Sequence, residues 1–537
     1  MYLNDFFSGE TARKAGYLKK QGEGNPFITG LEYDSRKVKE NNMYFALPGL
    51  HTDGHDYISN ALAQGAKAIV HQQEIDKDNF SAAGISASTL EETVFIQVKN
   101  TRFAMSPVSA SYFGFPSEKL ILVGVTGTEG KSTTVYLIWQ LLRLLGKKAG
   151  FISTVQYSDG LDAFWNPEHQ TTPEATTIHL RLAEMAKNKA EYAVIETSSH
   201  GLSPQTNRLG DVFFDAAVMT NVTHEHLEFH GSFEQYRDDK ANLFRSLDVR
   251  AAANSRSAGT QKTFLPFGVI NADDKSASYF ASVTKQKTVS FSTAMNAADL
   301  RLGSIESSSQ GNIYEVYGAH GKFSITDKLP GEFNAGNVLA ALLVVSGLLK
   351  KQPEELVPFV PSLEAVRGRM TQVNCGQNFE VLVDYAHTPS SFRTIFPPLR
   401  IRLDKSGGRI ISLFGSAGER DTKKRSEQGT IAAEYSDIVI IADEDPRSED
   451  PMTILEEIAA GCTTLNLRTK MRREETLFLI PDRKAAIRKA FSLAQPGDLV
   501  ILLGKGHENS IIYKDFLMDY DEITEAEKAL AELKSTS

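Results

Sequence analysis

Residues 120–145 read LILVGVTGTEGKSTTVYLIWQLLRLL, and the reading of this stretch decides the fold. Leu120 to Thr126 are apolar and β-branched, as a buried strand requires. From Ser132 onward, STTVYLIWQLLRLL carries the spacing of an amphipathic helix. Between them lie Gly127, Thr128, Gly130, Lys131, Ser132 and Thr133. A strand that passes through glycine into a helix points backbone N–H groups and the helix N-terminus at one spot, which is how proteins cradle phosphate. Lys131 adds a point charge there, and the Ser132 hydroxyl is a hard oxygen donor suited to Mg²⁺. The strict GxxxxGK[ST] spacing is not met, because Val125 stands five residues before Gly130. Glu129 puts an acid inside the loop. Facing phosphate in a dry site it would cost on the order of several kcal/mol, so it must point outward, meet Mg²⁺ or pair with a cation. Because the loop works mainly through backbone N–H groups, nucleotide binding is expected to survive the acid.

Outward from this stretch, short β-branched runs at 192–196, 216–220, 380–384, 409–414, 437–442 and 498–503 end in polar residues and precede helical patterns. That alternation predicts parallel α/β units, with ligands at the carboxyl ends of the strands. Breakers at FGFPS (113–117) and KKQPEELVPFVPS (350–362) suggest three domains, 1–112, 113–358 and 359–537. The expected fold is therefore α/β, with a central sheet like that of phosphate-loop NTPases and a Rossmann-like C-terminal domain. A long apolar helix is expected at 337–349, and the small, polar RAAANSRSAGTQKT (250–263) reads as an exposed loop or insertion.

Composition excludes some classes. The 537 residues are 41% hydrophobic and 23% charged, an ordinary globular balance, and no apolar run approaches the roughly 20 residues that span a bilayer. The N-terminus lacks an export signal, so a cytoplasmic address is expected. Two distant cysteines, Cys375 and Cys462, offer neither a disulfide framework nor a thiolate metal site. A net charge of −9 leaves no global basic footprint for nucleic acid. His224, His226 and His230 are clustered, but their spacing follows no closed zinc pattern.

The loop TGTEGKSTT resembles the phosphate loop of the Mur ligase superfamily, which usually has Asn where this chain has Glu129. The resemblance extends in order through YDSRKV (33–38), ALPGLHTDGHDYI (46–58), QTTPEA (170–175), ETSSHGL (196–202), TNVTHEHLEFHG (220–231), DDKANLF (238–244), GEFNAGNVLAA (331–341), RGRM (367–370), DYAHTP (384–389), GSAGERD (415–421), DPRSEDP (445–451) and GKGHE (504–508). It implies an ATP- and Mg²⁺-dependent amide ligase of peptidoglycan precursor synthesis. ATP phosphorylates a carboxylate, and an amine displaces phosphate from the acyl phosphate. Positioning and cations do most of the work in such a transfer.

By resemblance, Lys131, Glu196, His226 and Lys240 form the catalytic set, with Ser132, Glu196 and His226 on the magnesium side and Lys240 carbamylated. Gly127, Thr128, Gly130, Lys131, Ser132, Thr133, Asn334, Asn337, Arg369, Asp384 and His387 would contact the nucleotide. Ser35, Thr171, Thr172, Ser198, Gln205 and Arg208 would hold a UDP-N-acetylmuramoyl dipeptide. Gln205 falls where the chain is about two residues longer than the common pattern. Without the resemblance, Lys240 reads as a solvated helical lysine, and the Asn and Asp residues as caps and turns. ATP contacts split between the second and third domains imply closure on binding.

Arg420, Asp445, Arg447, Gly504 and Glu508 map to the pocket for the incoming amino acid. Members that add meso-diaminopimelate usually carry Asp-Asn-Pro-Arg, whereas this chain has Glu444-Asp445-Pro446-Arg447. An anion at 445 disfavours a distal carboxylate and suits a distal ammonium, as in lysine or ornithine. Arg447 pulls toward diaminopimelate, unless it holds the α-carboxylate or pairs with Asp445. A monomer is expected, binding neither membrane nor nucleic acid. The alternatives are the diaminopimelate ligase, a folylpolyglutamate-synthetase-like ligase, a phosphate-loop switch or motor, and an inactive homologue.

Overall fold

The computed structural model describes residues 1–49, 52–168, 170–223, 227–256, 265–294, 296–308, 311–462 and 470–536. The chain is α/β, built on three main sheets. By contact density it divides into two compact units. The first comprises residues 1–292, 296–298 and 340–351, and the second 293–295, 299–339 and 352–537.

In the first unit, β1 (Tyr17–Gln21), β2 (Gly30–Glu32), β3 (Asn42–Phe45), β4 (Ala68–His71) and β5 (Val94–Val98) form a sheet in the order β1-β5-β4-β3-β2. β1 is antiparallel to β5 and the other pairings are parallel. The central sheet contains β6 (Ile121–Thr126), β7 (Ala149–Ile152), β8 (Gln156–Ser158), β9 (Ala163–Trp165), β10 (Tyr192–Glu196), β11 (Ala216–Met219), β12 (Phe267–Asn271) and β13 (Lys287–Ser292). Its order in this unit is β13-β12-β11-β6-β10-β7-β8-β9. β6 lies parallel between β10 and β11. All of β10 and β11 is buried, as expected of strands covered by helices on both faces.

In the second unit, β14 (Leu300–Ser308), β15 (Gly311–Gly318) and β16 (Gly321–Asp327) make an antiparallel meander. The C-terminal sheet, from β17 (Thr371–Gln372), β18 (Glu380–Asp384), β19 (Ile410–Phe414), β20 (Ile438–Ile441), β21 (Leu477–Leu479) and β22 (Leu499–Leu503), has the order β17-β18-β22-β19-β20-β21. Its pairings are parallel except β17 with β18. A hairpin of β23 (Ser510–Ile512) and β24 (Leu517–Asp519) follows.

All seven strands expected from sequence are present to within a residue or so at their ends. The helix expected at 337–349 begins earlier, at Asn334. The loop expected from residue 250 needs correction, because the helix that starts at Phe233 runs on to Arg256. Arg250 is the physical reason. It is 3% exposed, and its Nε donates to Asp215 Oδ1 at 2.9 Å, anchoring the helix to the sheet. Residues 257–263 of the expected loop lie outside the described residues. Both cysteines are free, with Cys462 buried and Cys375 half-buried against the core.

Candidate active site

β6 ends in the phosphate loop, and the helix Lys131–Leu144 starts directly after Gly130. Gly127 has φ +155°, and a Cβ there would meet Thr220 Oγ1 at 1.9 Å, so no side chain fits. The loop is clamped through its backbone. Glu129 N donates to Asn221 Oδ1 at 2.9 Å, and Glu129 O accepts from Thr220 Oγ1 at 2.6 Å. These bonds do not depend on which side chain residue 129 carries, and that is how the loop accommodates an acid. Thr128 Oγ1 pairs with Tyr236 Oη at 3.0 Å and accepts from Thr223 N. Lys131 Nζ donates to Thr128 O at 2.6 Å, and Thr133 is half-buried on the first helical turn.

Ser132 and Glu196 are brought together. Ser132 Oγ donates to Glu196 Oε2 at 2.9 Å, and Thr154 N donates to the same oxygen. A buried carboxylate beside a hydroxyl at a helix N-terminus is a hard, all-oxygen donor pair of the kind Mg²⁺ takes alongside phosphate and water. These two residues therefore fit the metal. His224 and His226 lie outside the described residues.

Lys240 is 2% exposed, which excludes a solvated helical lysine. Its Nζ donates to Gly127 O at 2.6 Å and lies 4.5 Å from the Tyr236 ring centre. One residue earlier, Asp239 accepts from or shares a proton with His230 Nδ1 at 2.8 Å, while His230 Nε2 meets Ser199 Oγ at 3.0 Å. All three members of this relay are buried.

Arg208 and Thr172, two of the residues expected to hold the acceptor, meet beside Glu174. Arg208 donates through Nη1 to Thr172 O and through Nη2 to Glu174 Oε1, both at 2.8 Å. Arg102 donates to the same Glu174 oxygen at 2.8 Å. The Arg208 fork expected for a substrate carboxylate is thus engaged by an internal one, with Nε buried and unpartnered. Thr172 Oγ1 donates to Glu196 O and accepts from Ser198 N, joining the acceptor residues to the Ser132–Glu196 pair. Ser198 caps the helix Ser199–Leu202. Ser35 is buried after β2, Thr171 is half-buried, and Gln205 is exposed with no contact to this cluster.

In the second unit, Asn337 Nδ2 donates to Asn334 Oδ1 at 2.9 Å, and Asn334 Nδ2 donates to Pro330 O. Asp384, at the end of β18, accepts from Met370 N and Ala386 N, both at 2.7 Å. Burial raises its carboxyl above the ordinary range, while Arg369 and these two bonds oppose the rise. Arg369 lies over the Tyr385 ring, and its Nε is buried without a partner. His387 packs on the same ring at 4.7 Å. Tyr385 Oη donates to Glu508 Oε1 at 3.3 Å, joining the expected nucleotide residues to the expected amino-acid residues.

Lys505 organises the residues expected to hold the amino acid. Its Nζ is buried and donates to Asp445 Oδ1 at 2.9 Å and to Glu508 Oε2 at 2.5 Å. Burial alone would lower its pKa, but the two carboxylates outweigh burial and raise it, so the ammonium stays charged. Ile512 N also donates to Asp445 Oδ1. The expected Asp445 anion is therefore already paired, and the three groups together retain one net negative charge. Arg447 sits in the left-handed region at φ +57°, pinned by its N–H to Ile512 O at 2.9 Å, with Nε buried and unpartnered. Arg420 is exposed, outside this bonded set.

Sequence reasoning missed Tyr385, Glu444 and Lys505 as members of the site. Each lies inside a quoted motif, but nothing in the sequence says which motif residue faces the pocket. A cleft of about 570 Å³ lies elsewhere, lined by Gln372, Glu380, Arg402 and Asp498 at the amino ends of β18 and β22.

The Mur ligase middle domain matches residues 125–345, the Mur ligase glutamate ligase domain 368–506, and the Mur ligase family catalytic domain 27–108. The chain belongs to the Mur ligase family, a class of ATP-dependent ligases. It is 50% identical over 531 residues to the UDP-N-acetylmuramyl-tripeptide synthetase of Treponema denticola, covering 95% of both chains. It is 32% identical over 528 residues to the UDP-N-acetylmuramoyl-L-alanyl-D-glutamate–2,6-diaminopimelate ligase of Clostridium tetani, covering 98% of this chain and 99% of that one. A solved structure of a UDP-N-acetylmuramoyl-L-alanyl-D-glutamate–2,6-diaminopimelate ligase aligns with a TM-score of 0.60 and 26% identity, covering 94% of this chain and 95% of that one.

Proposed function

We propose that the chain extends UDP-N-acetylmuramoyl-L-alanyl-D-glutamate by one diamino acid, lysine or ornithine, at the expense of ATP. The observation that carries this reading is the pocket of Asp445, Lys505 and Glu508. Its residual negative charge suits a distal ammonium, and in the pattern with Asn at position 445 that charge would be absent.

The γ-phosphoryl group passes from ATP to a substrate carboxylate oxygen, and ADP leaves. The α-amine then attacks the carbonyl carbon, the carbon–oxygen bond to phosphate breaks, phosphate departs, and the amine loses a proton. Gly127 to Thr133 cradle the phosphates through backbone N–H groups, with Lys131 turning from Thr128 O toward the transferred group. Ser132 and Glu196, with His226, would hold Mg²⁺, which supplies charge neutralisation around the phosphate oxygens. Arg208 orients the acceptor by exchanging Glu174 for a substrate carboxylate. Asn334, Asn337, Arg369, Asp384 and His387 bind the rest of the nucleotide, and Lys240 is carbamylated beside Gly127. Residues 1–112 bind the uridine nucleotide, 113–358 bind ATP and 359–537 bind the amino acid. The enzyme acts as a monomer in the cytoplasm, where its ATP is supplied.

Meso-diaminopimelate is the second reading, favoured by the unpartnered Arg447 Nε, which could take a distal carboxylate. Phosphate release with ATP, Mg²⁺ and the UDP-muramoyl dipeptide, comparing lysine, ornithine and meso-diaminopimelate with mass spectrometry of the products, decides between them. Turnover with diaminopimelate alone overturns the first reading.

A further inference from the structure

Between the end of β16 and the helix that begins at Asn334, the carbonyls of Leu329, Pro330 and Gly331 are all held by asparagines. Leu329 O accepts from Asn312 Nδ2 at 2.8 Å, and Pro330 O accepts from Asn334 Nδ2 at 2.8 Å. Gly331 O accepts from Asn334 N at 3.2 Å and, at 3.5 Å, from Asn312 Nδ2. Gly331 lies at φ +86°, in the left-handed region that glycine enters most readily. A link with such a residue at its centre is soft by itself, so its shape comes from the groups that bind its backbone.

Asn312 binds it from behind. It is the second residue of β15 and stands opposite Asp327, the last residue of β16, in the strand register. Both are 1% exposed. The Asn312 amide is fixed at either end: Oδ1 accepts from Ser307 Oγ at 2.5 Å, and Nδ2 donates to Asp327 Oδ1 at 2.8 Å as well as to the link. Asp327 Oδ1 in turn accepts from Leu329 N at 2.9 Å. The pair therefore holds Leu329 by both its N–H and its carbonyl.

Ahead of the link stands Asn334. It spends one amide hydrogen on Pro330 O and one lone pair on Asn337 Nδ2, and an amide has two of each. The second donor and second acceptor form the side-by-side pair that complements the N6 and N7 edge of adenine. Their direction is set by Pro330 O, and so by the link.

We infer that Asn312 and Asp327 are positioning residues for ATP: by fixing Leu329 they shape the 329–331 link, and the link aims the Asn334 amide at the nucleotide. This rests on the reading above that Asn334 and Asn337 bind the nucleotide. The pair acts on ATP through Asn334, so its effect falls on affinity for that one substrate rather than on the chemical step.

The test compares wild type with Asn312→Leu, Asp327→Ala, Asp327→Asn, Ser307→Ala and Asn334→Ala, with a thermal melt of each protein. Titration calorimetry with Mg²⁺ and no acceptor gives Kd for ATP, and phosphate release gives kcat and KM for each substrate. Asn312→Leu and Asp327→Ala should raise Kd and KM for ATP about five- to fiftyfold, the effect of losing one or two hydrogen bonds. KM for the UDP-muramoyl dipeptide and for the amino acid should hold. Asp327→Asn keeps an oxygen to accept from Leu329 N and should return most of the affinity that Asp327→Ala loses. A role in folding alone would lower the active fraction, and with it kcat, without moving the affinity for ATP. If the variants at 312 and 327 do not fold, Ser307→Ala at a half-buried position decides. It lets the Asn312 amide turn and should weaken ATP about twofold or more. ATP affinity unmoved in every folded variant at 307, 312 and 327, with Asn334→Ala weakening it, overturns the inference alone. ATP affinity unmoved in Asn334→Ala overturns the underlying reading instead.

Discussion

Replacing Asp443 with Asn should stabilise the C-terminal domain at neutral pH and leave it nearly unchanged in acid. Asp443 is 4% exposed and burial pushes its carboxyl up to about 6, with the Tyr513 hydroxyl bond and Arg483 opposing the rise. In the unfolded chain the group titrates near its ordinary 3.8. The sign follows from which state holds the proton. Between about pH 4 and pH 6 the unfolded chain has released it and the folded chain has not, so stability falls as pH rises through that window. Above it the loss is complete, about 3 kcal/mol at about 1.4 kcal/mol per pH unit. Asn keeps an acceptor for Tyr513 and cannot ionise. The variant should therefore gain about 1–3 kcal/mol at pH 8 relative to pH 4. Trp139 and Trp165 both lie in the first unit, so tryptophan fluorescence would report the wrong part of the chain. Hydrogen exchange of peptides covering β20 and β22, across pH 4–8 with intrinsic rates corrected, is the direct assay. A stability difference between variant and wild type that stays flat with pH would refute the reasoning.

Gly127→Ala should cut kcat by about a hundredfold or more, because its Cβ would overlap Thr220 Oγ1 and deform the loop that positions phosphate; ATP-binding titration and steady-state rates check this. Arg250→Leu should destabilise the first unit by about 3–5 kcal/mol, read by urea unfolding with tryptophan fluorescence, since it strands the buried Asp215 carboxylate. If Lys240 carries a carbamate, activity in CO₂-depleted buffer should fall and bicarbonate should restore it. An activity indifferent to bicarbonate would leave Lys240 as the ammonium that donates to Gly127 O.

The strands that end in chemistry were legible in the sequence because parallel strands buried on both faces must be apolar throughout. Tyr192–Glu196 and Leu499–Leu503 are such runs, and each closes on a polar motif. The meander β14–β16 escaped notice because it alternates buried and exposed positions and carries no motif at its ends. Residue 250 was misread for a different reason. A small, polar stretch looks like a loop until the partner of Arg250 is known, and Asp215 is 35 residues away. Asp445 shows the same limit within the site. Its charge was legible, but its pairing with Lys505, 60 residues later, was not. Lys505 comes beside Asp445 only through strand order, which places the ends of β20 and β22 at the same edge of one sheet.

The buried Ser199–His230–Asp239 relay has a consequence for where damaging substitutions will fall. Ser199 follows Ser198, Asp239 precedes Lys240, and His230 closes the short helix after the segment that holds His226. Residues next in sequence to those proposed for acceptor, phosphate and metal thus share one three-membered truss, and the loss of any strut should slacken all three at once. Genetic screens should accordingly find null alleles at these three positions.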